Sequence, residues 1–531
     1  MIKIYTNGVI HTFQTSQPVI QAVVIKDGHF IDMGSNEQML SFWSAKSDAV
    51  IDLGGKAATP GLTDTHLHLS MQAMKFIDLD VTGVTKKEVF LNKIKQRADT
   101  LDKGEWLLGA GWDENLFTDG GLPTKEELDA AAPHHPLFLT RICEHAAVVN
   151  SKALEEINYS STLAVPESGE IVTDANGEPT GLILESAAVL FKAKIPDKSY
   201  QTWKKALRKT ISTVSGYGVT SVHSNDPAYL GGLQQTYQLY QELLNEEKMG
   251  LRANLLIDYP FLEDLHTAGM YTGYGNNMLQ IGAVKIFADG AFGRRTALLK
   301  EAYSDQPGQF GEAMLSQDTL YTIVKRAREM GMPVAVHTIG DQALENVLDT
   351  LDQFPASAYR DRLIHAQVIN PDLVKRLATP DRIVDIQPRF LASDYPWVTE
   401  RLGEARMPYA YAWKTLLDNG IICGGGSDAP VEPLNPLLGI HAAVTRKAPG
   451  ETHSGWYPEQ KLSMHEAFYL FTKYAAYTTN EERLKGTISR GKLADMTVYS
   501  ADPFQMKNAD ELVDTNIEMT IVDGDIVYRK G

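Results

Sequence analysis

Seven short apolar runs recur through the middle of the chain: "VTSVHS", "RANLLIDYP", "GAVKIFADG", "MPVAVHTIG", "RLIHAQVI", "RIVDIQP" and "GIICGGGSDAP". Amphipathic stretches such as "SQDTLYTIVKRAREMG" separate several of them, and "QTWKKALRKTISTVSGYG" precedes the first. A short, nearly continuous apolar run fits a strand covered on both faces, and strands alternating with helices read as parallel βα units. "TPGLTDTHLHL" lies in front of them and makes eight candidate strands, the number a TIM-type barrel needs.

The two ends have another texture. "MIKIYTNGVIHTF", "PVIQAVVIKDGHFIDMGS" and "AVIDLGGKAAT" are short strands broken by Asn-Gly, Asp-Gly and Gly-Gly turns, and "KLADMTVYSADP" and "NIEMTIVDGDIVYRKG" answer them, with a hairpin turn at Asp523-Gly524. Neither end closes a sandwich alone. The expected fold is therefore α/β: a TIM-type (β/α)8 barrel over residues 59–480, with a composite β-sandwich built from residues 1–58 and 481–531. The stretch from about 70 to 200 is too long for one βα connection, so it is expected to hold an insertion, with "PLFLTRIC" as one of its strands.

Composition narrows the partners. A net charge of -17 argues against nucleic acid and against an anionic membrane surface, and the expected partner is a small-molecule substrate. Cys143 and Cys423 cannot build a disulfide framework or a thiolate zinc site. No apolar leader and no bilayer-spanning run is visible, so a cytoplasmic location is expected. The chain is expected to form a homo-oligomer, a dimer first.

Residues two apart on a strand point to the same side, so His66 and His68 project together. At the carboxyl end of a barrel strand that side is the mouth, and two imidazoles there can hold one metal ion. Lys285 shares the inward side with Ala283 and Phe287, His337 shares the side of Ala335, His365 is opposite in parity to Ile364, and Asp428 follows three glycines. These fall on the fourth, fifth, sixth and eighth candidate strands. An inward lysine among apolar neighbours has a depressed pKa, and its neutral amine can take up carbon dioxide to become a bridging carbamate.

Other residues are softer candidates. His145 is a second catalytic candidate, reaching over the mouth to polarise substrate; His223 ends the second strand. Trp112, Arg141 and Arg294 are candidate substrate contacts, an arginine there suiting a carboxylate, while Asp341 reads as a helix cap. His134 and His135 look like loop residues, and the two cysteines look like small core fillers.

The ordered set "TPGLTDTHLHL", "GWDENLF", "LPTKEELDAAAPHHPLFLTRICEHAAVVNSKAL", "VKIFADGAFGRRTALL", "VAVHTIGDQAL", "LIHAQVI", "GGGSDAPV" and "GKLADMTVYSADP" resembles the amidohydrolase superfamily, and within it amidohydrolase family 3, the YtcJ-like group that includes N-substituted formamide deformylases. The resemblance spans essentially the whole chain. It implies that His66 and His68 bind the more buried metal, that carbamylated Lys285 bridges to a second metal held by His337 and His365, and that Asp428 touches the metal and the attacking water. The expected cofactor is a divalent metal, zinc first, one or two ions per chain. The expected reaction is hydrolysis of a C–N bond, in an amide or N-substituted formamide, by a metal-activated hydroxide with Asp428 as general base and then acid. The alternatives are a cyclic imidohydrolase or deaminase on the same site, and a non-catalytic barrel used as a binding module.

Overall fold

The computed structural model describes residues 1–141, 145–166 and 169–531, so the expectation for Cys143 lies outside the described residues. The chain divides into two compact units, Met1–Gln72 with Leu207–Gly531, and Ala73–Ala206.

The larger unit holds eight parallel strands: β1 (Leu62–Leu67), β2 (Val219–Asn225), β3 (Arg252–Asp258), β4 (Leu279–Phe287), β5 (Val334–Thr338), β6 (Asp361–His365), β7 (Arg382–Ile386) and β8 (Cys423–Gly425). They lie side by side in chain order from β1 to β8. All eight arise from the eight apolar runs, and helices between them make the sheet an α/β barrel. The helix Gln317–Glu329 shows why the chain folds this way. Its Leu320, Ile323, Val324 and Ala327 recur at helical spacing and are buried, and Ser316 caps it by accepting the Thr319 N–H.

One expected cap is corrected. The helix Asp341–Leu351 has Gly340, not Asp341, at its N-cap. Asp341 accepts instead the N–H of Lys300 at 3.0 Å. A side chain at position 340 would meet the Leu298 carbonyl oxygen at 1.9 Å, which is why the cap position is glycine.

No ladder joins β8 to β1 among the described residues. Backbone bonds beyond the end of β8 close the barrel: Asp428 N–H donates to His66 O at 2.7 Å and His68 N–H to Ala429 O at 2.8 Å.

Both chain ends contribute to one six-stranded sheet, because Met496–Tyr499 pairs antiparallel with Ala57–Pro60. A four-stranded sheet contains Ile2–Thr6, Ala22–Lys26, His29–Gly34 and Ala49–Asp52. Tyr5, Val23 and Phe30 from the latter share one buried cluster with Ala58, Met496, Val498 and Ile521 from the former. Asp523 and Gly524 both take positive φ, 55° and 78°, as a two-residue hairpin turn requires.

The smaller unit is built on its own six-stranded mixed sheet, with strands Leu79–Asp80, Leu107–Trp112, Leu137–Arg141, Ala146–Val149, Pro179–Glu185 and Gly169–Thr173 in that spatial order. Separate buried clusters form around Phe90, Trp112 and Leu139, and around Phe138, Val149 and Phe191. Among the described residues no helix is long and apolar enough to cross a membrane.

Candidate metal centre

The carboxyl ends of β1, β4, β5 and β6, with the loop after β8, bring together the half-buried His337 and the buried His66, His68, Lys285, His365 and Asp428. Donor atoms of His66, His68 and Asp428 all lie within 4.8 Å of one another. The Nε2 atoms of His66 and His68 are 3.5 and 3.4 Å from Asp428 Oδ1. Lys285 Nζ is 3.2 Å from His66 Nε2. The His337 and His365 rings are 4.5 Å apart, and the His66 ring is 5.7 Å from that of His365.

Strand parity places most of these side chains but not His365. Ile364 is the register partner of His337 and shares the interior cluster with Ala283 and Ala335. Its neighbour His365 would therefore face outward from a regular strand. His365 takes φ +77° and Ala366 φ +42°, left-handed values that end the strand and turn the imidazole into the group. Asp428 also has a left-handed backbone, φ +56°. Such conformations cost on the order of 1–3 kcal/mol each and persist where surrounding structure fixes them.

The glycines before Asp428 are required by crowding. A Cβ on Gly424 would lie 2.7 Å from Thr478 and 2.9 Å from Asp385 and Thr65, and one on Gly426 would lie 2.7 Å from His66 N.

Three of the four imidazoles have one nitrogen occupied by an acceptor. His68 Nδ1 donates to Asn225 O at 2.9 Å, His365 Nδ1 to Gln387 Oε1 at 2.6 Å, and His337 Nε2 to Gly290 O at 2.9 Å. Each bond fixes the tautomer and leaves the other nitrogen as an electron-pair donor. Burial, with Lys285 and neighbouring imidazoles adding to it, holds His66 well below the ordinary histidine value. Burial does the same to His337 and lowers His365 to about 4. These rings are therefore neutral near pH 7. Burial also pulls on His68, but the adjacent Asp428 outweighs it and raises the value. Lys285 is lowered to about 8, chiefly by burial. Burial pushes the Asp428 carboxyl up, yet the neighbouring His68, His365 and Lys285 hold it below the usual carboxylate range.

Neutral imidazoles with free nitrogens, a buried carboxylate whose Oδ1 accepts no hydrogen bond, and no thiolate make a donor set that suits a divalent first-row ion such as zinc.

The sequence alone did not single out several neighbours. Asn225 and Gln387 supply the acceptors just described. Asp258, the register partner of Lys285, ends β3 with a buried Oδ2 that has no hydrogen-bond partner. Asp289 accepts N–H bonds from Leu298, Ile339 and Gly340 at 2.9, 3.0 and 2.8 Å. Phe390 stacks on His365 with ring centroids 5.8 Å apart, and Phe287 lies 5.5 Å from His337. For Asp258, Asp289 and Phe287 the only sequence signal is a carboxylate or aromatic ring near the end of an apolar run, and Asn225, Gln387 and Phe390 carry no such signal.

The softer candidates occupy varied positions. His223 is buried inside the barrel, 3.5 Å from Thr478 Oγ1, and belongs to a layer with Arg362 and Lys485. Arg294 is exposed in the turn Phe292–Arg294. In the smaller unit, Trp112 is buried and donates its indole N–H to Leu139 O at 2.8 Å. Arg141 pairs with Asp113 at 3.0 Å and Glu114 at 2.7 Å, and the exposed His145 lies 3.0 Å from Glu185. His135 is buried with Nδ1 on Glu105 O at 3.0 Å, and Cys423 is buried.

Comparison with known proteins agrees with this geometry. The profile of the amidohydrolase family matches residues 49–528. The chain is 40% identical to Putative amidohydrolase YtcJ of Bacillus subtilis, over 100% of both chains. It is 26% identical to N-substituted formamide deformylase of Arthrobacter pascens, over 99% of this chain and 98% of the other. An uncharacterized metal-dependent hydrolase from Pyrococcus furiosus superposes with a TM-score of 0.79 at 28% identity, covering 95% of this chain and 100% of the other. The chain belongs to the amidohydrolase family, a family of hydrolases, and is a YtcJ-like member of it.

Proposed function

We propose that this protein is a metal-dependent amidohydrolase that hydrolyses a C–N bond, in an amide or an N-substituted formamide. The observation that carries the reading is the convergence of His66, His68 and Asp428 donor atoms within 4.8 Å, with Lys285, His337 and His365 beside them. The relatedness to the Arthrobacter deformylase supports the bond class. In this reading those six residues would hold a divalent metal, zinc first, one or two ions per chain, with Lys285 contributing as a carbamate. When bound, a divalent ion supplies Lewis acidity, which brings a water pKa near 7 and polarises a carbonyl.

The protein's own groups do the rest. Asp428 is ionised at neutral pH, so its carboxylate can take the proton of the attacking water and hand it to the leaving nitrogen as the C–O bond forms and the C–N bond breaks. Its left-handed backbone and the Asp428 N–H to His66 O bond fix where that proton is held. Asn225, Gln387 and Gly290 keep three rings turned so that their free nitrogens face the centre. For the termini, the shared buried cluster supports the reading that the two end sheets form one composite β-sandwich.

The test is metal analysis with an activity screen of N-formyl and N-acyl amines. One to two divalent ions per chain are expected, with activity lost on chelation and restored by zinc. Metal-free protein that hydrolyses its substrate at the full rate overturns the reading. Electron density at Lys285 in crystals grown with bicarbonate and metal decides the carbamate.

A further inference from the structure

β1 and β8 meet without a ladder, and that seam carries His66 and His68 on one side and Asp428 on the other. A barrel seam that bears most of a site needs something to set its register. Asp64, two residues before His66, lies in it and is 1% exposed. Its Oδ1 accepts the N–H of Ser427 at 3.0 Å and the N–H of His66 at 3.2 Å, and its Oδ2 lies 3.2 Å from the same Ser427 nitrogen. Gly426 makes the approach possible, since a Cβ there would come within 3.1 Å of Asp64 Oδ1. From the barrel interior, Arg362 donates from Nη2 to Thr65 O at 2.6 Å and from Nε to Asp385 Oδ2 at 2.8 Å. The segment Asp64–His66 is thus held from both sides.

No basic side chain forms an ion pair with Asp64 among the described residues. A buried carboxylate without a counter-ion is costly unless N–H groups satisfy it. Here those N–H groups belong to His66 itself and to the residue before Asp428. An apolar side chain would fill the same space without fixing either backbone.

We propose that Asp64 is a positioning residue: a latch that joins β1 to the loop after β8 and sets the spacing of His66, His68 and Asp428. It acts through two backbone N–H groups and touches neither substrate nor reacting atoms. The consequence for metal binding rests on the proposed role of those three residues, whereas the latch itself does not.

The test compares Asp64→Leu with Asp361→Asn. Asp361 is also a buried carboxylate, but at the amino end of β6, where it accepts the Val334 N–H at 2.9 Å and pairs with Arg328. Cobalt(II) is titrated into metal-stripped protein and followed by its visible absorption. Asp64→Leu, which fills the space without an acceptor for either N–H, is expected to bind cobalt about 10–100-fold more weakly, with a changed spectrum. Asp361→Asn is expected to keep wild-type affinity and spectrum while losing thermal stability. Amide exchange in the metal-free proteins reads the latch directly. Peptides spanning 62–68 and 423–430 should exchange at least about tenfold faster in Asp64→Leu and unchanged in Asp361→Asn, local opening being set by local bonds. If the Leu variant does not fold, Asp64→Ser, smaller and able to accept one N–H, carries the same measurements. Wild-type cobalt affinity and wild-type exchange in the Asp64 variant overturn the proposal, as do equal losses in the Asp361 variant. A wild-type protein that takes up no cobalt removes the metal reading under Proposed function, and the exchange rates still decide the latch.

Discussion

The two ends of the barrel treat charge in opposite ways. At the amino end, charges come in closed pairs: Arg252 bonds the buried Asp495 at 2.7 and 2.9 Å, Arg328 meets the buried Asp361, and the buried Arg382 meets the exposed Asp352. At the carboxyl end, Lys285 faces an imidazole at 3.2 Å, and four histidines and Asp428 gather with free donor atoms. The ion pairs at the amino end are closed within the protein, though Arg328 Nε and Arg382 Nε are buried without a hydrogen-bond partner. The other end is left with donor atoms that a bound ion would satisfy. Burial alone marks neither as functional, and neither does a single unpartnered atom; imidazole and carboxylate donors that converge within 4.8 Å do.

Breaking the unmatched end should cost chemistry without costing the fold. The largest effect is expected from changing His66 and His68 together to Ala, which removes half of the imidazole donors. Metal content should fall to background and activity with it, while circular dichroism keeps the barrel's signature. Retained stoichiometric metal would show that the ion is held elsewhere. Next comes Asp428→Asn, which keeps size and an oxygen donor but cannot accept the proton. Turnover should drop by roughly two to four orders of magnitude with metal largely retained. Near-normal turnover in that variant would move the base to another group.

Breaking the matched end should do the reverse. Arg252→Met leaves Asp495 buried without its partner and should cost about 3–5 kcal/mol of stability in denaturant titration. Metal content per folded chain should not change. A variant that loses metal at wild-type stability would erase the distinction between the two ends.

The smallest effect is a pH slope. Asp394 is half-buried, its Oδ2 accepting the Tyr411 hydroxyl at 2.7 Å, and burial raises its pKa from 3.8 to about 6. A carboxyl whose folded value lies above its unfolded value contributes stability that is full below about pH 4 and lost as pH rises through about 6. Asp394→Asn should therefore flatten the stability profile between those values. A wild-type profile as flat as that of the variant would show that the shift is absent.

Much of the site was legible because its signals are local. Eight apolar runs became eight strands, and the His66–His68 pair follows from the two-residue period of β1. His365 was found by chemical type, while strand parity alone points it the wrong way, because its φ of +77° is imposed by its surroundings. Asn225 and Gln387 could not be read as partners. Asn225 stands 157 positions from His68, and Gln387 22 from His365. Of the six strands in the smaller unit, "PLFLTRIC" announced one, as Leu137–Arg141. The others are short, interrupted by glycine or only partly apolar, so their pattern carries little signal.

By itself, then, the sequence determined the alternation that makes a parallel barrel and the chemical types that stand at its strand ends, because periodicity and side-chain chemistry are properties of neighbours along the chain. Only the tertiary structure decided which nitrogen of each imidazole is free, how His365 turns inward, and that Asp64 bridges an unladdered seam to Ser427, 363 positions away. Those depend on hydrogen bonds between strands remote in sequence, whose partners are chosen when the barrel closes and not before.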